Sequence, residues 1–394
     1  MADAAEESSS SSAAAAAEEE EEAEAAEEEA EVVVIVVGAG PSGLATAACL
    51  AVRSVPYIVL DSASAPASLW RLRAYDRLHL HLAKQFSSLP FAPHPPSAPP
   101  SSPAPSSSAT STPTPRASAS SPRASASAAA STPPRIVCGA VPGRGDGGNA
   151  EAVVPEILGL EGFPGPVLHS SRFRSGSEYK GKAVLVVGGG NSGMEIALDL
   201  AESGAKTSIV VRSPLHLVTR EIWLLGMHLR KFLPLYLVDA LALFLCYLKF
   251  GDTSKYGIHR PTKGPFYLKA NSPVFPVMDV GTFDKIKAGE IQVFPSITRI
   301  NSNSVIFANG KVEYFDAIIL ATGYRATTKE WLKGDDYLID DDGMAKQKYP
   351  NNWKGKNGLY CAGLGRRGIP GTSEDALKIA KDIYESSCCE YLKT

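Results

Sequence analysis

The sequence predicts an α/β fold with two parallel β-sheets, because one strand–glycine loop–helix–strand unit occurs twice in its 394 residues. The first copy comprises the β-branched run 32–37, the loop GAGPSG at 38–43, a helical stretch and a strand at 57–60. The second comprises a strand at 183–187, the loop GGGNSG at 188–193, a helix at 194–203 and a strand at 207–211. Uninterrupted apolar strands are typical of parallel sheets buried on both faces. The duplication therefore indicates two Rossmann-like domains.

Three later segments complete the predicted elements. The run AIIL at 317–320 and the run GLYCA at 358–362 are expected to be buried strands, and 375–384 is expected to be a helix. The chain after the second unit is too short to fold alone. We therefore expect its C-terminal part to return to the first domain.

Both glycine loops have the spacing of a dinucleotide-binding turn. The first glycine allows the tight turn, the second lets a pyrophosphate approach the backbone, and the third lets helix and strand pack closely. The helix N-terminus then offers N–H groups and the positive end of its dipole to the phosphates. An ordinary glycine-rich turn is the alternative for a single copy, but two copies in this context argue against it. The loop residues predicted to bind cofactors are Gly38, Gly40, Ser42, Gly43, Gly188, Gly190, Asn191, Ser192 and Gly193.

The residue that ends the second strand of each unit distinguishes the two ligands. Asp61 follows the first unit, and its carboxylate suits a ribose hydroxyl while repelling a 2′-phosphate. Arg212 follows the second unit, and its guanidinium suits a 2′-phosphate, with a solvated strand-end cation as the alternative. We therefore expect FAD at the first loop and NADPH at the second. The FAD-binding domain is predicted over 32–177 and 325–394, and the NADPH-binding domain over 178–324.

The six cysteines contain no CxxC pair, so neither a dithiol redox centre nor a thiolate zinc site is expected, and no metal site is predicted. If a flavin receives a hydride here, the next acceptor must be oxygen, a quinone, another protein or a substrate. These alternatives stay open on the motifs described so far.

Two segments differ sharply in composition from the rest. Residues 1–31 contain 13 Asp and Glu and no Lys or Arg, and residues 98–135 consist only of Ser, Ala, Pro, Thr and Arg. Neither can bury enough apolar surface to offset chain entropy, so both are expected to be disordered. Without the acidic head the body carries a net charge of +10, which suits anionic cofactors. It contains no nucleic-acid-binding module, so no nucleic-acid partner is expected.

The apolar run 232–250 raises the question of a membrane. It has 19 residues with Asp239 in the middle, which is close to the minimum length for spanning and carries a costly central charge. A buried or partly interfacial helix is expected, with peripheral membrane association at most. No signal peptide is recognised, so the expected location is the cytoplasm, with the cytosolic face of the endoplasmic reticulum as an alternative. The oligomeric state is not predicted.

The stretch FPGPVLHSSRF at 163–173 fits the pattern FxGxxxHxxx[YF], through Phe163, Gly165, His169 and Phe173. Together with the two glycine loops and ATGY at 321–324, it resembles the class B flavin-dependent monooxygenases. The resemblance is closest to the plant YUCCA-type enzymes. Further strings that carry it are LWR at 69–71, YDRL at 75–78, HLAKQF at 81–86, NAEAVVPEI at 149–157, LHLVTREI at 215–222 and the stretch 363–371.

This resemblance implies FAD and NADPH as cofactors, O2 and indole-3-pyruvate as substrates, and indole-3-acetate (auxin) and CO2 as products. The chemistry would pass through a flavin C4a-(hydro)peroxide, so no catalytic side chain is expected and His169 would position NADP(H) rather than act as a base. Trp70 and Arg71 would lie along the flavin or its pyrophosphate, with core packing as the alternative for Trp70. Thr322 and Gly323, which would end a strand at the domain crossing, are also expected to bind a cofactor.

Two alternatives to this function remain: a flavin monooxygenase of soft nitrogen or sulfur nucleophiles, and a catalytically impaired nucleotide-binding or interaction protein. The second arises because family members should carry a strand ending in an ATG turn within 98–147. Here that interval has no aromatic residue and no β-periodic run, although the family pattern resumes at 149. A shifted reading frame is one explanation. The sequence then predicts a missing strand beside the first glycine loop and an exposed sheet edge.

Overall fold

The computed structural model contains two parallel β-sheets with helices packed on them, which confirms the predicted α/β fold with two Rossmann-like units. The acidic head and most of the Ser/Ala/Pro-rich segment lie outside the residues that the structure describes. Those residues are 34–68, 71, 74–78, 86–94, 135–139, 150–272, 274–326, 328–332, 337–341, 343, 345–365 and 367–391.

The elements are numbered in chain order. The strands are β1 (Val34–Val37), β2 (Tyr57–Leu60), β3 (Arg135–Gly139), β4 (Ala150–Ala152), β5 (Val167–His169), β6 (Ala183–Val187), β7 (Lys206–Val210), β8 (Leu217–Val218), β9 (Val277–Met278), β10 (Ile291–Phe294), β11 (Ile297–Asn301), β12 (Ser304–Phe307), β13 (Val312–Tyr314), β14 (Ala317–Leu320), β15 (Tyr324–Ala326) and β16 (Leu359–Ala362). The α-helices are α1 (Pro41–Ala51), α2 (Asn191–Glu202), α3 (Arg220–Leu229), α4 (Leu235–Phe250), α5 (Pro265–Asn271), α6 (Thr282–Lys287), α7 (Thr328–Trp331) and α8 (Gly368–Tyr391).

The first sheet has the strand order β16-β3-β1-β2, and all its neighbours run parallel. Helices α1 and α8 cover it, and their apolar side chains share one core with β1 and β3. Because β16 lies 220 residues beyond β3 in numbering yet pairs with it, the C-terminal part of the chain does return to the first sheet. Helix α8 is much longer than the predicted 375–384.

Strand β3 corrects one prediction from the sequence. The expectation that 98–147 contributes no strand, and that the first sheet has an exposed edge there, is wrong. The segment Arg135–Gly139 lies between β1 and β16, and Val137 and Cys138 are buried, whereas Ile136, which precedes them, is 36% exposed. Its apolar core is only Ile-Val-Cys, separated by Arg135 from two prolines, so the composition of the preceding block concealed it.

The second sheet has the strand order β10-β7-β6-β14-β5, again all parallel. Its edge strand β5 comes from residues that the sequence analysis assigned to the first domain, so the predicted boundary at 177/178 is wrong for this strand. Val167 to His169 are adjacent to Ile318 to Leu320 of β14. The antiparallel sheet β11-β12-β13 packs beside the second sheet through Phe307.

The two passages of the chain between the sheets lie side by side. Strand β4 leads into the second unit, β15 leads out of it, and the two pair antiparallel with Tyr324 adjacent to Ala152. The Val153 N–H donates to the Gly323 carbonyl at 3.0 Å. We call this pair the crossing ribbon.

The apolar run 232–250 contains a helix, α4, that packs on the second unit through Val238, Ala242, Cys246 and Phe250. Asp239 is buried on this helix, and its carboxylate accepts the N–H groups of Phe266 at 2.8 Å and Tyr267 at 3.0 Å. It thus caps the N-terminus of α5. Among the described residues, no helix is long and apolar enough to cross a membrane.

The difference in burial between Ile136 and Val137 of β3 yields a testable prediction. Val137→Ala removes two buried methyl groups, so it should lower the free energy of unfolding by about 1–3 kcal/mol. Ile136→Ala, in the partly exposed neighbouring position, is the matched control and should cost clearly less. Chemical denaturation monitored by circular dichroism would measure both, and equal effects would mean that the segment is not a strand of this sheet.

Candidate functional site

The first glycine loop turns at the carboxyl end of β1. Gly38 has a φ of +100°, and its N–H donates to the Leu60 carbonyl at 2.7 Å. A Cβ at Gly43 would lie 1.8 Å from the Gly38 carbonyl oxygen, so a side chain there is excluded. A Cβ built at Gly40 meets nothing within 4 Å, and this residue precedes the first turn of α1. The open backbone at a helix N-terminus fits a pyrophosphate.

Asp61 lies beside this loop. Its carboxylate accepts the Ala39 N–H at 2.5 Å and the Ala63 N–H at 2.8 Å. The acidic group is therefore held at the end of β2 against the glycine loop, where the ribose of a bound dinucleotide would meet it. Ser42 is almost wholly buried, and its carbonyl accepts the Thr46 hydroxyl at 2.9 Å inside α1.

Two glycines that the sequence analysis did not assign to the site end the neighbouring strands at the same edge. A Cβ at Gly139, the last residue of β3, would lie 2.9 Å from the Gly43 backbone nitrogen. Gly363, directly after β16, has a φ of +94°, and its N–H donates to the buried Asp375 carboxylate at 3.1 Å. Burial raises the pKa of Asp375 to about 6. The sequence signal available for Gly139 was a short apolar run that ends in Val-Cys-Gly.

The other predicted residues of the first site are only partly placed. Arg71 is exposed, and its N–H donates to the Ala67 carbonyl at 3.2 Å. Trp70 lies outside the described residues. Their predicted contact with the flavin or its pyrophosphate stays a prediction.

The second glycine loop repeats the geometry of the first. Gly188 has a φ of +122°, and its N–H donates to the Val210 carbonyl at 3.1 Å. A Cβ at Gly193 would lie 1.8 Å from the Gly188 carbonyl oxygen, whereas one at Gly190 meets nothing within 4 Å. The end of β14 closes the turn, because a Cβ at Gly188 would approach the Ala321 carbonyl oxygen to 2.4 Å. This loop also fits a pyrophosphate at the N-terminus of its helix.

The polar residues of the second site differ in the contacts that their side chains make. Arg212 is exposed two residues beyond β7 and makes no hydrogen bond or ion pair with the rest of the described chain, so its guanidinium is available to a phosphate. The Asn191 amide oxygen accepts the Met278 N–H at 2.8 Å, which ties the first residue of α2 to β9. The Ser192 side chain at the start of α2 acts on the Tyr75 hydroxyl, whose pKa it lowers against the larger effect of burial.

The residues of the FxGxxxHxxx[YF] pattern act mainly through packing. Phe163 packs in the core between the second sheet and β11–β12, and a Cβ at Gly165 would lie 2.1 Å from the Asp316 carbonyl oxygen. Phe173 is almost wholly buried, with its ring edge-on to Tyr75 at a 6.2 Å centroid distance and stacked on Tyr179.

His169 joins the end of β5 to the crossing ribbon. Its Nδ1 accepts the Ser171 N–H at 3.2 Å, so the ring proton resides on Nε2, which donates to the Gly323 carbonyl at 3.1 Å. Burial lowers the pKa of His169. The Thr322 hydroxyl donates to the Val153 carbonyl at 2.5 Å, so Thr322 also contacts the ribbon. The neutral, doubly engaged imidazole is a positioning group.

Tyr75, which follows β2 along the chain, packs in the core of the second unit, a contact that the sequence did not reveal. Its hydroxyl donates to the buried Glu195 carboxylate on α2, 120 residues away in sequence. Neighbouring bonds hold the same short segment: Asp76 N–H donates to the Arg174 carbonyl at 3.1 Å, and Arg77 pairs with Glu202. We call residues 74–78 the strap. An acidic residue flanked by apolar ones on α2 was the available signal for Glu195.

Burial raises the pKa of Glu195 to about 7, although the Tyr75 hydrogen bond and the positive charges of Arg220 and Arg77 oppose the shift. Burial, reinforced by the Glu195 charge, also raises the pKa of Tyr75. The carboxyl therefore changes its charge near neutral pH directly behind the second glycine loop.

Comparisons with known proteins agree with this geometry. The family model described as flavin-binding monooxygenase-like matches residues 147–331. The chain is 42% identical over 366 residues to "Probable indole-3-pyruvate monooxygenase YUCCA10" of Arabidopsis thaliana, across 88% of this chain and 96% of that protein. It is 43% identical over 367 residues to indole-3-pyruvate monooxygenase YUCCA1 of Oryza sativa subsp. japonica, across 88% of this chain and 90% of that protein.

Solved structures show the same fold at low sequence identity. A flavin-containing monooxygenase from Stenotrophomonas maltophilia matches with a TM-score of 0.59 and 18% identity, across 91% of this chain and 99% of that chain. OTEMO in complex with FAD and NADP matches with a TM-score of 0.64 and 12% identity, across 91% of this chain and 85% of that chain.

The raised pKa of Glu195 predicts a pH-dependent stability. In the folded state Glu195 keeps its proton up to about pH 7, whereas in the unfolded state it loses it near pH 4.5, the ordinary value. The free energy of unfolding therefore declines as pH rises from 4.5 to about 7. Glu195→Gln mimics the protonated carboxyl, so its stability relative to the unmodified chain should improve by about 2–3 kcal/mol from roughly pH 5 to roughly pH 8. Urea denaturation at both pH values measures this, with the exposed Glu161→Gln as the control. A difference that does not change with pH would contradict the assignment.

Proposed function

The chain belongs to the family of flavin-dependent monooxygenases that includes the plant YUCCA proteins, and from this we propose that it converts indole-3-pyruvate to indole-3-acetate. The balanced reaction consumes one NADPH, one O2 and one proton, and it yields CO2, NADP+ and water. One oxygen atom enters the new carboxylate, and the other leaves as water.

The observation that carries the proposal is the extent of the match to curated indole-3-pyruvate monooxygenases. Identities of 42% and 43% extend over 88% of this chain and at least 90% of each relative, so both dinucleotide units and the segments between them are included. The structure adds support, because the two glycine loops have the same geometry and differ in the residue at the next strand end: Asp61 in one, Arg212 in the other.

Different residues of the chain would hold the two cofactors. The loop from Gly38 to Gly43 and the Asp61 carboxylate would hold FAD, and the loop from Gly188 to Gly193 with Arg212 would hold NADPH. FAD, when bound, supplies the hydride acceptor and the activation of oxygen. The protein supplies orientation and exclusion of water.

Orientation between the two sites depends on contacts that cross from one unit to the other. The crossing ribbon fixes the direction of β15, and His169 fastens it to β5 through the Gly323 carbonyl. The strap adds the Tyr75–Glu195 bond behind the second loop. A nicotinamide bound on one unit can therefore be presented to a flavin on the other in a fixed arrangement.

The proposed function can be tested with the purified full chain by measuring its FAD content and its reaction with NADPH, O2 and indole-3-pyruvate. We expect flavin absorbance that bleaches with NADPH without oxygen, and about one indole-3-acetate per NADPH consumed when oxygen is present, measured by mass spectrometry. Oxygenation of trimethylamine or thioanisole with no indole-3-acetate formed would instead indicate a monooxygenase of soft nucleophiles. A colourless protein that does not oxidise NADPH would contradict the enzymatic proposal.

Arg212 yields a prediction about cofactor choice. Arg212→Gln removes the charge that would face the 2′-phosphate, so the KM for NADPH should rise about tenfold or more while the KM for NADH changes little. Lys206→Gln is the matched control, because Lys206 is an exposed cation at the opposite end of the same strand. Steady-state NAD(P)H oxidation measures both constants. Equal effects of the two substitutions would assign the 2′-phosphate to another residue.

A further inference from the structure

Helix α4 and the residues just before it expose a continuous apolar surface. Six large apolar side chains on this surface are between 44% and 82% exposed, and four of them are aromatic: Phe232, Tyr236, Leu237, Phe244, Tyr247 and Leu248. We call this the apolar face. Isolated exposed apolar residues are ordinary, but a patch of this kind on one helix indicates an interaction site. The proposed monooxygenase chemistry uses none of these residues.

The opposite side of α4 fixes the orientation of the helix. Val238, Ala242, Cys246 and Phe250 are buried at intervals of four residues in the core of the second unit. Asp239, adjacent to this row, caps α5 with two hydrogen bonds. The helix cannot rotate to bury its outer side without breaking both the core and the cap. Exposure of the apolar face is therefore built into the fold.

Basic residues border the apolar face at both ends. Arg230 and Lys231 are exposed and directly precede Phe232, Lys249 is exposed at the last turn of α4, and the Arg260 guanidinium lies 6.0 Å from the Tyr247 ring centroid. From 220 to 271 the chain has eight Lys and Arg, against Glu221, Asp239 and Asp252. Asp239 is buried in the α5 cap, and the exposed Glu221 interacts electrostatically with Lys249. The surroundings of the face are thus net cationic.

We propose that the apolar face binds the surface of a lipid bilayer that carries anionic headgroups, with α4 lying in the plane of the interface. A single convex helix side with aromatic and aliphatic residues matches the boundary between headgroups and acyl chains. The basic border matches the negative surface potential of such a bilayer and adds attraction for each cation. The helix of 16 residues is about 24 Å long, so it rests on the surface along its length.

Vesicle flotation with the full FAD-containing chain tests the proposal, using phosphatidylcholine vesicles with and without phosphatidylserine. The variant Phe232→Gln/Phe244→Gln/Leu248→Gln keeps helix-compatible residues at exposed positions, so the fold should be retained. The matched control Val312→Thr/Tyr314→Thr removes exposed apolar side chains from β13 instead. FAD content and NADPH oxidation in solution verify that each variant is folded.

We expect the unmodified chain and the control to float with phosphatidylserine-containing vesicles. The triple variant should bind these vesicles at least about tenfold more weakly. Arg230→Gln/Lys231→Gln should reduce the gain from phosphatidylserine and leave the binding to phosphatidylcholine alone nearly unchanged. Absence of vesicle binding, or equal binding by the triple variant, would overturn the proposal. A dimer in light scattering that the triple variant converts to a monomer would assign the face to a second copy of the chain instead.

Discussion

The architecture depends on one steric constraint, which occurs twice: the third glycine of each loop lies against the carbonyl oxygen of the first. A Cβ at Gly43 or at Gly193 would come within 1.8 Å of that oxygen, so only glycine is possible. Because of this contact only three residues separate the end of the strand from the start of the helix, and the helix N-terminus lies at the carboxyl edge of the sheet. The positive end of the helix dipole and the open backbone at the second glycine then lie together, which is what a pyrophosphate requires.

The same constraint extends to the neighbouring strand in each sheet. Gly139 at the end of β3 packs on the Gly43 backbone, and the Ala321 carbonyl at the end of β14 closes on Gly188. In both sheets the strand beside the glycine loop thus ends where the loop turns. After Ala321 the chain continues through Thr322 and Gly323 into the crossing ribbon. The glycine loop of the second unit therefore contacts the segment that leads back to the first unit.

Local signals predicted the two units well, whereas features that depend on distant partners were missed. The second unit's β6 spans the predicted 183–187, since strand, loop and helix follow one another directly in sequence. Strand β3 was missed, because only its position between β1 and β16 identifies the three apolar residues as a strand. The assignment of β5 to the second sheet depends on pairing with β14 about 150 residues later. The Tyr75–Glu195 bond likewise joins two segments that no periodicity connects, and Asp239, expected to be a cost in a bilayer, caps a neighbouring helix.

The strap shows why a buried carboxyl can be retained behind the second loop. An ionised Glu195 in this place is disfavoured by desolvation, and a hydrophobic residue of similar size would avoid that cost. What the carboxyl provides is an acceptor for the Tyr75 hydroxyl. The strap and helix α2 are therefore joined through one phenol. An apolar substitute at 195 would leave this hydroxyl buried without its acceptor, so the strap would lose its bond to α2.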